Sequence, residues 1–389
     1  MFSRRTSWNL CSNRYTQALE AHRRSGRELL DLTASNPTTI GLHYHEEELL
    51  RAVTSCVMNY EPAPKGLMSA REAIAAYYAE KESIVSVDDL ILTTSTSEAY
   101  SFLFRLLCDP SDAVLLPAPS YPLFDFLADL NDVNLVPYEL VYDHGWQIDF
   151  HSLLQAIDGA KGRCRAVLVV HPNNPTGSYV KPQELRELNR VCSAHELALI
   201  VDEVFRDYPL GQPALTFVAN NDTLTFTLSG LSKISALPQM KVAWIATSGP
   251  QFLKSHALAR LEVIADTYLS MNAPIQRAFP AMLAERHSIQ AQLVDRIKSN
   301  LTALDENLAG QTLCERLAIE GGWYAVLRVP VLGSDEDLAI SLLHDTGVLL
   351  QPGHFYNFPS DGYLVASLIT PLHEFAEGIV STVTYIAKR

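Results

Sequence analysis

The middle of the chain alternates short apolar runs with segments of helical periodicity. Several runs, such as Leu197–Asp202, are nearly continuous in Val, Ile and Leu, which is typical of strands buried on both faces of a parallel sheet. The predicted strands are Leu90–Thr94, Ala113–Pro117, Leu135–Tyr138, Ala166–His171, Leu197–Asp202, Thr223–Leu228 and Val242–Thr247, and helices are predicted at Ser97–Cys108, Tyr121–Leu130 and Pro182–His195. This alternation predicts an α/β fold with a mostly parallel seven-stranded sheet between helices.

The pattern changes after about residue 267 and indicates a smaller α+β domain. A long helical segment (Pro274–Leu308) precedes alternating strands and helices, predicted at Gly321–Val329, Asp335–Thr346, Val348–Gln351, Tyr363–Leu368 and His373–Ala387. A strand at Leu29–Ala34 suggests that the N-terminal residues join this domain. We therefore expect a large domain at 51–275 and a small domain built from 1–50 and 276–389.

Charge and composition exclude several classes of protein. The net charge is −14, and an acidic chain repels nucleic acid and anionic membrane surfaces. No apolar stretch approaches the ~20 residues of a membrane span, and no secretory signal is visible. The six scattered cysteines, Cys56 among them, are expected to be reduced thiols, and a cytoplasmic location is expected by default.

Three polar motifs follow predicted strands, where open α/β sheets bind their ligands. Lys233 lies in a small polar stretch after one strand, Asp202 ends another, and Asn174 lies in a rigid Pro- and Gly-containing loop after a third. A lysine whose pKa is held down by its surroundings can form a Schiff base. Taken singly, each of these residues also fits an ordinary surface or capping role.

Two further motifs could bind a phosphate group. The segment from Thr94 to Ala99 links a strand to a helix, so its hydroxyls and amides would lie at a helix N-terminus. A plain capping box with Ser95 or Thr96 as the cap explains this segment equally well. Lys241 could neutralise a phosphate, although alone it would be taken for a solvated charge.

Together these motifs resemble the class I/II aminotransferase family of pyridoxal phosphate (PLP) fold type I. The resemblance rests on the order of the motifs from Thr94 to Lys241, and it extends from about Asp31 to the C-terminus. It implies that Lys233 holds PLP as a Schiff base and moves the substrate proton. It further implies cofactor-binding roles for Thr96, Ser97, Tyr121, Asn174, Asp202, Ser232 and Lys241. Tyr60 would reach the phosphate in a neighbouring subunit, so the resemblance implies a homodimer with shared active sites.

The chain departs from the family pattern at three positions. Phe205 stands where a tyrosine usually contacts the ring oxygen, so we expect a higher Schiff-base pKa. Lys241 replaces the more common arginine, a minor change. Val365 aligns with the arginine that clamps the substrate carboxylate, and no arginine lies between Arg328 and Arg389. Either another group binds that carboxylate, with Arg206, His354, Arg4 and Arg5 as candidates, or the substrate lacks a standard α-carboxylate, or Val365 is not the equivalent position.

The resemblance implies a transaminase that moves an amino group between an amino acid or amine donor and a 2-oxo acid through pyridoxamine phosphate. The same motifs also fit a β-eliminating PLP lyase or a synthase of specialised metabolism. A PLP-binding regulator is a third possibility, disfavoured by the acidic charge and by the retention of Lys233. The motifs identify neither the amino donor nor the acceptor.

Overall fold

The computed structural model describes residues 1–54, 58, 60–122, 124–212, 215–331 and 333–389. The helices are α1 (Arg14–Ser25), α2 (Glu46–Thr54), α3 (Met68–Ala79), α4 (Thr96–Leu107), α5 (Phe124–Leu130), α6 (Phe150–Gly159), α7 (Pro182–Ala194), α8 (Leu231–Ile234), α9 (Gln251–Tyr268), α10 (Ala273–Ala284), α11 (Arg286–Leu308), α12 (Asp335–Thr346) and α13 (Leu372–Ile386). The strands are β1 (Leu30–Asp31), β2 (Leu90–Thr93), β3 (Ala113–Ala118), β4 (Asn134–Tyr142), β5 (Trp146–Ile148), β6 (Cys164–Val170), β7 (Ala198–Asp202), β8 (Thr225–Gly230), β9 (Ala243–Ser248), β10 (Glu315–Arg316), β11 (Tyr324–Arg328), β12 (Val348–Leu349), β13 (Gln351–Pro352) and β14 (Tyr363–Ser367).

The central sheet has the strand order β2-β9-β8-β7-β6-β3-β4-β5. Neighbours from β8 to β4 pair in parallel, whereas β9 runs antiparallel to both β8 and β2. All seven predicted strands occur, so the predicted α/β fold is confirmed. The prediction of seven strands was one short, because β5 pairs antiparallel with β4 at the sheet edge. Three residues are too few to show a strand periodicity in the sequence.

Both faces of this sheet are buried, as the apolar runs predicted. In β7, Leu199 and Val201 pack into one apolar cluster, while Ala198 and Ile200 pack into another. Successive side chains of a strand point to opposite faces, so the two clusters lie on the two sides of the sheet. Strands buried in this way are mostly apolar along their length.

The carboxyl ends of β2, β3, β6, β7 and β8 lie at one edge of the sheet, together with the amino end of β9. We call this edge the carboxyl edge. The direction of β2 follows from its pairing, because β2 and β8 are both antiparallel to β9. The polar segments that follow these strands therefore meet at the carboxyl edge.

A second sheet, β10-β11-β14-β13, is antiparallel and lies in the C-terminal part of the chain. The N-terminal β1 pairs in parallel with β12. The predicted strand Val348–Gln351 is divided between two pairings, since β12 joins β1 and β13 joins β14. The helical segment predicted at Pro274–Leu308 is likewise divided, at Glu285, into α10 and α11.

Two findings bear on the predictions from composition. Within the described ranges, no helix is both long and apolar enough to cross a membrane. The described cysteines, Cys11, Cys108, Cys164, Cys192 and Cys314, are all free thiols. Cys56, which was also expected to be reduced, lies outside the described residues.

Candidate active site at the carboxyl edge

Lys233 lies in the four-residue helix α8, directly after β8. The turn into this helix passes close to β9, because a Cβ atom at Gly230 would lie 2.8 Å from the Val242 carbonyl oxygen. The Lys233 ammonium lies 4.7 Å from the ring centre of Trp323 and 5.2 Å from that of Phe205. These aromatic faces attract the cation and also exclude water from one side of it.

The surroundings of Lys233 lower the pKa of its amine. Burial lowers the pKa of Lys233 from 10.5 to about 8, and the nearby Asp202 carboxylate offsets part of this effect. Burial has this direction because it penalises the charged form of the amine. At pH 7 about a tenth of the amine is therefore uncharged and nucleophilic, a far larger fraction than for a lysine in water.

The helix turn that carries Lys233 is held by three side chains from distant segments. A short helix leaves its last carbonyl groups without partners inside the helix. Here Tyr208 Oη donates to the Lys233 carbonyl, Gln290 Nε2 to the Ile234 carbonyl (2.9 Å) and Tyr44 Oη to the Ala236 carbonyl (2.8 Å). We call these hydrogen bonds the carbonyl clamp. They fix the backbone from which the lysine side chain extends.

Asp202 ends β7 as a buried carboxylate. It accepts a hydrogen bond from Tyr100 Oη (2.8 Å) and another from the Val204 amide (3.0 Å). Burial raises the pKa of Asp202, and these hydrogen bonds together with the charge of Lys233 favour the ionised form. Such a carboxylate is suited to hold a positively charged or N–H-bearing group at this edge.

Asn174 lies in the loop after β6 and is buried. Its side-chain oxygen is buried and has no hydrogen-bond partner within the described part of the chain. The loop is tied back at Gly177, whose amide donates to the Asn173 carbonyl (2.7 Å) and whose φ is +69°. An unpartnered buried polar atom is costly, so a bound group that pairs with Asn174 would remove that cost.

The segment before α4 caps the helix at Ser95, close to one of the two interpretations of it, but Glu98 bonds the Thr94 amide and not that of the cap residue. Ser95 Oγ accepts from the Glu98 amide (3.1 Å), and the Glu98 carboxylate accepts from the Thr94 amide (2.7 Å). Thr96 and Ser97 are the first two residues of the helix, where amides point out of the helix end. Capping and anion binding are compatible here, because the cap occupies other amides than those of Thr96 and Ser97.

The residues that the sequence suggested for phosphate binding lie near the ends of neighbouring strands. Thr93 of β2 pairs with Ala243 of β9, so the segments that carry Thr96 and Lys241 adjoin the same corner of the carboxyl edge. Lys241 is exposed with a φ of +52°, and its ammonium has no hydrogen bond or ion pair among the described residues. Ser232 is partly buried beside Lys233.

Of the two tyrosines predicted to bind the cofactor, Tyr121 lies near the site around Lys233 and Tyr60 does not. Tyr121 follows β3, and the Asp202 carboxylate contributes to its raised pKa after the effect of burial, so the two side chains lie near each other. Tyr60 is 82% exposed and does not join the Lys233 group within this chain.

Val365 lies in the middle of β14, buried between Val326 of β11 and Gln351 of β13. Two of the four candidate substitutes for a carboxylate-binding arginine, Arg206 and Arg5, have polar partners elsewhere. Arg206 lies 3.8 Å from Glu203 and donates to the Leu215 carbonyl, and Arg5 pairs with Asp132. His354 is exposed, and its ring contacts that of Phe355. Arg4 is exposed in a short 3-10 helix (Arg4–Thr6) that precedes α1.

Sequence reasoning missed Tyr100, Trp323 and the carbonyl clamp. Tyr100 lies four residues after Thr96 in α4. The sequence alone does not show which face of this helix points towards the site, so Tyr100 could not be assigned to it. Trp323 comes from a segment 90 residues beyond Lys233 (323 − 233). No local pattern marks either residue as part of a site.

Comparison with known proteins identifies the family. The model of "Aminotransferase class I and II" matches residues 8–369. The chain is 25% identical over 378 residues to glutamate-pyruvate aminotransferase AlaA of Haemophilus influenzae, covering 93% of this chain and 91% of that one. It is 27% identical over 356 residues to alanine aminotransferase of Mycobacterium tuberculosis, covering 87% and 81%.

Solved structures show the same fold. Alanine aminotransferase from Pyrococcus furiosus superimposes with a TM-score of 0.91 at 22% identity, covering 100% of both chains. Aspartate aminotransferase from Thermotoga maritima gives a TM-score of 0.83 at 22% identity, covering 99% of this chain and 100% of that chain. The family-wide match confirms the predicted aminotransferase. The chain belongs to the class I and II aminotransferases.

Proposed function

We propose that this aminotransferase uses PLP and that Lys233 carries the cofactor. The family is PLP-dependent, and the residues at the carboxyl edge fit such a group. The observation that carries the proposal is the Lys233 amine, enclosed by Phe205 and Trp323 and with a pKa of about 8. The NH2 group of Asn174, for which no hydrogen bond is recorded among the described residues, can donate to a ring oxygen, and the buried carboxylate of Asp202 can accept from a ring N–H.

Each residue has a role that follows from its chemistry. When bound, PLP supplies an aldehyde that reacts with amines and a ring that stabilises negative charge on the reacting carbon. Asp202 would hold the ring nitrogen, Asn174 the ring oxygen and Tyr121 the ring face. Thr96, Ser97, Ser232 and Lys241 would hold the phosphate, in keeping with a helix N-terminus and a cation at one corner.

Lys233 would also move the proton. The Lys233 amine would act as the base when it is not bound to the cofactor, and its lowered pKa raises the uncharged fraction above that of a lysine in water. Its Nζ would take the proton from the substrate carbon and return it to the neighbouring carbon of the cofactor. The carbonyl clamp would keep Nζ within reach during both transfers.

Assembly and location belong to the same proposal. We propose a homodimer in which Tyr60, exposed on this chain, reaches the phosphate in the neighbouring site. We further propose a cytoplasmic enzyme with a large domain at 51–275 and a small domain from 1–50 and 276–389. The names of the relatives suggest amino acid donors such as alanine or glutamate, with a 2-oxo acid as acceptor.

Absorbance spectroscopy of the purified protein with added PLP tests the proposal. We expect a band of lysine-bound cofactor that disappears with an amino donor and returns when a 2-oxo acid is added. The Lys233→Ala variant should retain the fold by circular dichroism but lose the band and the turnover. Release of pyruvate and ammonia without an oxo acid would instead indicate a β-eliminating lyase. Full turnover by Lys233→Ala would contradict the proposal.

A further inference from the structure

One face of the small sheet borders the Lys233 site. Residues directly opposite each other in antiparallel strands share a face, as do residues two apart in one strand. By the register of β11, β14 and β13, one face carries Tyr324, Val326, Val365, Ser367 and Gln351. The Tyr324 ring lies 6.1 Å from the Phe205 ring, which in turn lies beside the Lys233 ammonium. We call this face the substrate-side face.

The substrate-side face is uncharged. Val326 and Val365 are buried, and the Ser367 hydroxyl is already used, because it donates to the Ala34 carbonyl. Tyr356 joins the face from the turn after β13, and its phenol is neutral because burial holds its pKa well above the ordinary value. Arg328 continues the same side of β11, but its guanidinium pairs with Glu315 (3.6 Å) and lies over the Tyr142 ring.

Gln351 offers an amide donor on this face, which also carries the Tyr324 hydroxyl, for which no hydrogen bond is recorded in the described part of the chain. Its Oε1 accepts from Tyr356 Oη, which fixes the carboxamide and leaves the Nε2 hydrogens for another partner. Tyr356 is itself anchored, since its carbonyl accepts from the Ser120 amide (2.8 Å) one residue before Tyr121. Gln351 is partly exposed, whereas the flanking Leu350 and Pro352 are buried. The side chain therefore reaches space that a small molecule can enter.

The energetics distinguish neutral from charged substrates. A carboxylate that leaves water for an aromatic surface without a cation loses more solvation than hydrogen bonds from one amide restore, whereas a neutral hydroxyl or amide oxygen is satisfied by one donor. Of the cations that sequence reasoning offered as a clamp, Arg5 and Arg206 lie next to carboxylates, His354 lies against the Phe355 ring, and Arg4 is exposed. A neutral hydrogen bond from Gln351 therefore suits this face better than an ion pair.

We propose that Gln351 is a specificity-determining residue and that the enzyme accepts primary amines whose neighbouring substituent is an uncharged hydrogen-bond acceptor. Amino alcohols and amino amides are used at least as well as the corresponding α-amino acids. The inference rests on the proposed transamination. In this reaction the substrate carbon would exchange its bonds to nitrogen and hydrogen for a double bond to an oxygen that comes from water. The nitrogen and the proton from the substrate carbon pass to the former aldehyde carbon, so no oxidant is needed.

The first test compares donors in the holoenzyme. Each amino acid of a panel is paired with its own amide and amino alcohol, and kcat/KM is measured for conversion of the cofactor to its amino form. We expect the neutral donors to equal or exceed the acids. A preference of more than about tenfold for the acids would overturn the inference, since one neutral hydrogen bond cannot supply it. Failure of every donor, neutral or acidic, would instead contradict the proposed function.

The second test measures binding without turnover. Isothermal titration of the holoenzyme with 3-phenylpropanamide and 3-phenylpropanoate, which lack an amine, compares a neutral and a charged ligand of one skeleton. Gln351→Leu should weaken binding of the amide by about tenfold. Gln351→Arg should bind the carboxylate more tightly than the amide, and it should also lower the KM for a 2-oxo acid. Gln155→Leu, on an exposed turn of α6, is the matched control. Unchanged amide binding in Gln351→Leu would overturn the inference even if transamination proved absent.

Discussion

At the scale of single residues, Asp202 controls the ionisation of Lys233. Its carboxylate raises the pKa of Lys233, against the larger lowering by burial. Asp202→Asn should therefore bring the pKa of Lys233 below about 8 and increase the neutral fraction at pH 7. The pH dependence of Lys233 reacting with a small aldehyde, trapped by cyanoborohydride in the cofactor-free protein, measures this directly. A midpoint that rises in the variant would contradict the account.

Phe205 offers a second test at this scale. Its ring lies 5.2 Å from the Lys233 ammonium and carries no hydroxyl. Phe205→Tyr should add a donor for the cofactor oxygen, stabilise its negative charge and lower the pKa of the lysine-bound cofactor by about one unit. An absorbance titration reports this pKa, and Phe252→Tyr, on the exposed side of α9, is the control. An unchanged titration in Phe205→Tyr would show that the ring edge does not face the cofactor oxygen.

At the scale of elements, the carbonyl clamp holds the turn that carries the lysine. Gln290 donates to both the Ile234 carbonyl and the Asp207 carboxylate (2.8 Å), so it joins α11 to the turn after β7 and to α8. Gln290→Leu should lower kcat by about tenfold, since it removes the equivalent of roughly 1–1.5 kcal/mol of hydrogen bonding, and should leave KM nearly unchanged.

Gln292→Leu is the matched control for this prediction. Gln292 lies on the same helix and also bonds a distant loop, through the His43 amide and carbonyl (both 2.9 Å). Both variants should lose similar thermal stability, but only Gln290→Leu should change kcat and the absorbance of the bound cofactor. Equal losses of kcat would assign Gln290 a purely structural role.

At this scale, some features of the site could be predicted from the sequence and others could not. Lys233, Asp202 and Asn174 could be placed at one edge because each follows an apolar strand, and parallel strands end on the same side. β5 and the division of the Val348–Gln351 strand could not be predicted, because pairing with distant partners decides elements of two or three residues. Tyr100, Tyr44 and Gln290 reach the site from helices and loops whose docking depends on the whole fold.

At the scale of the whole molecule, the proposed dimer makes a prediction about mixed subunits. Tyr60→Ala and Lys233→Ala variants should each be nearly inactive when pure. If Tyr60 serves the neighbouring site, a hybrid dimer contains one site with both residues intact, so mixing under conditions of subunit exchange should restore activity. Analytical ultracentrifugation with one of the two variants carrying a tag would show whether the subunits exchange. Exchange without recovery would place Tyr60 in the site of its own chain or outside any site.

The central claim is that Lys233 is the residue that binds the cofactor. Reduction of the PLP-loaded protein with borohydride makes that link permanent, and peptide mass spectrometry then locates it. The account predicts a single modified peptide carrying the label on Lys233, with the neighbouring Lys241 unmodified. A label on Lys241 or on another lysine, with Lys233 unmodified, would contradict it.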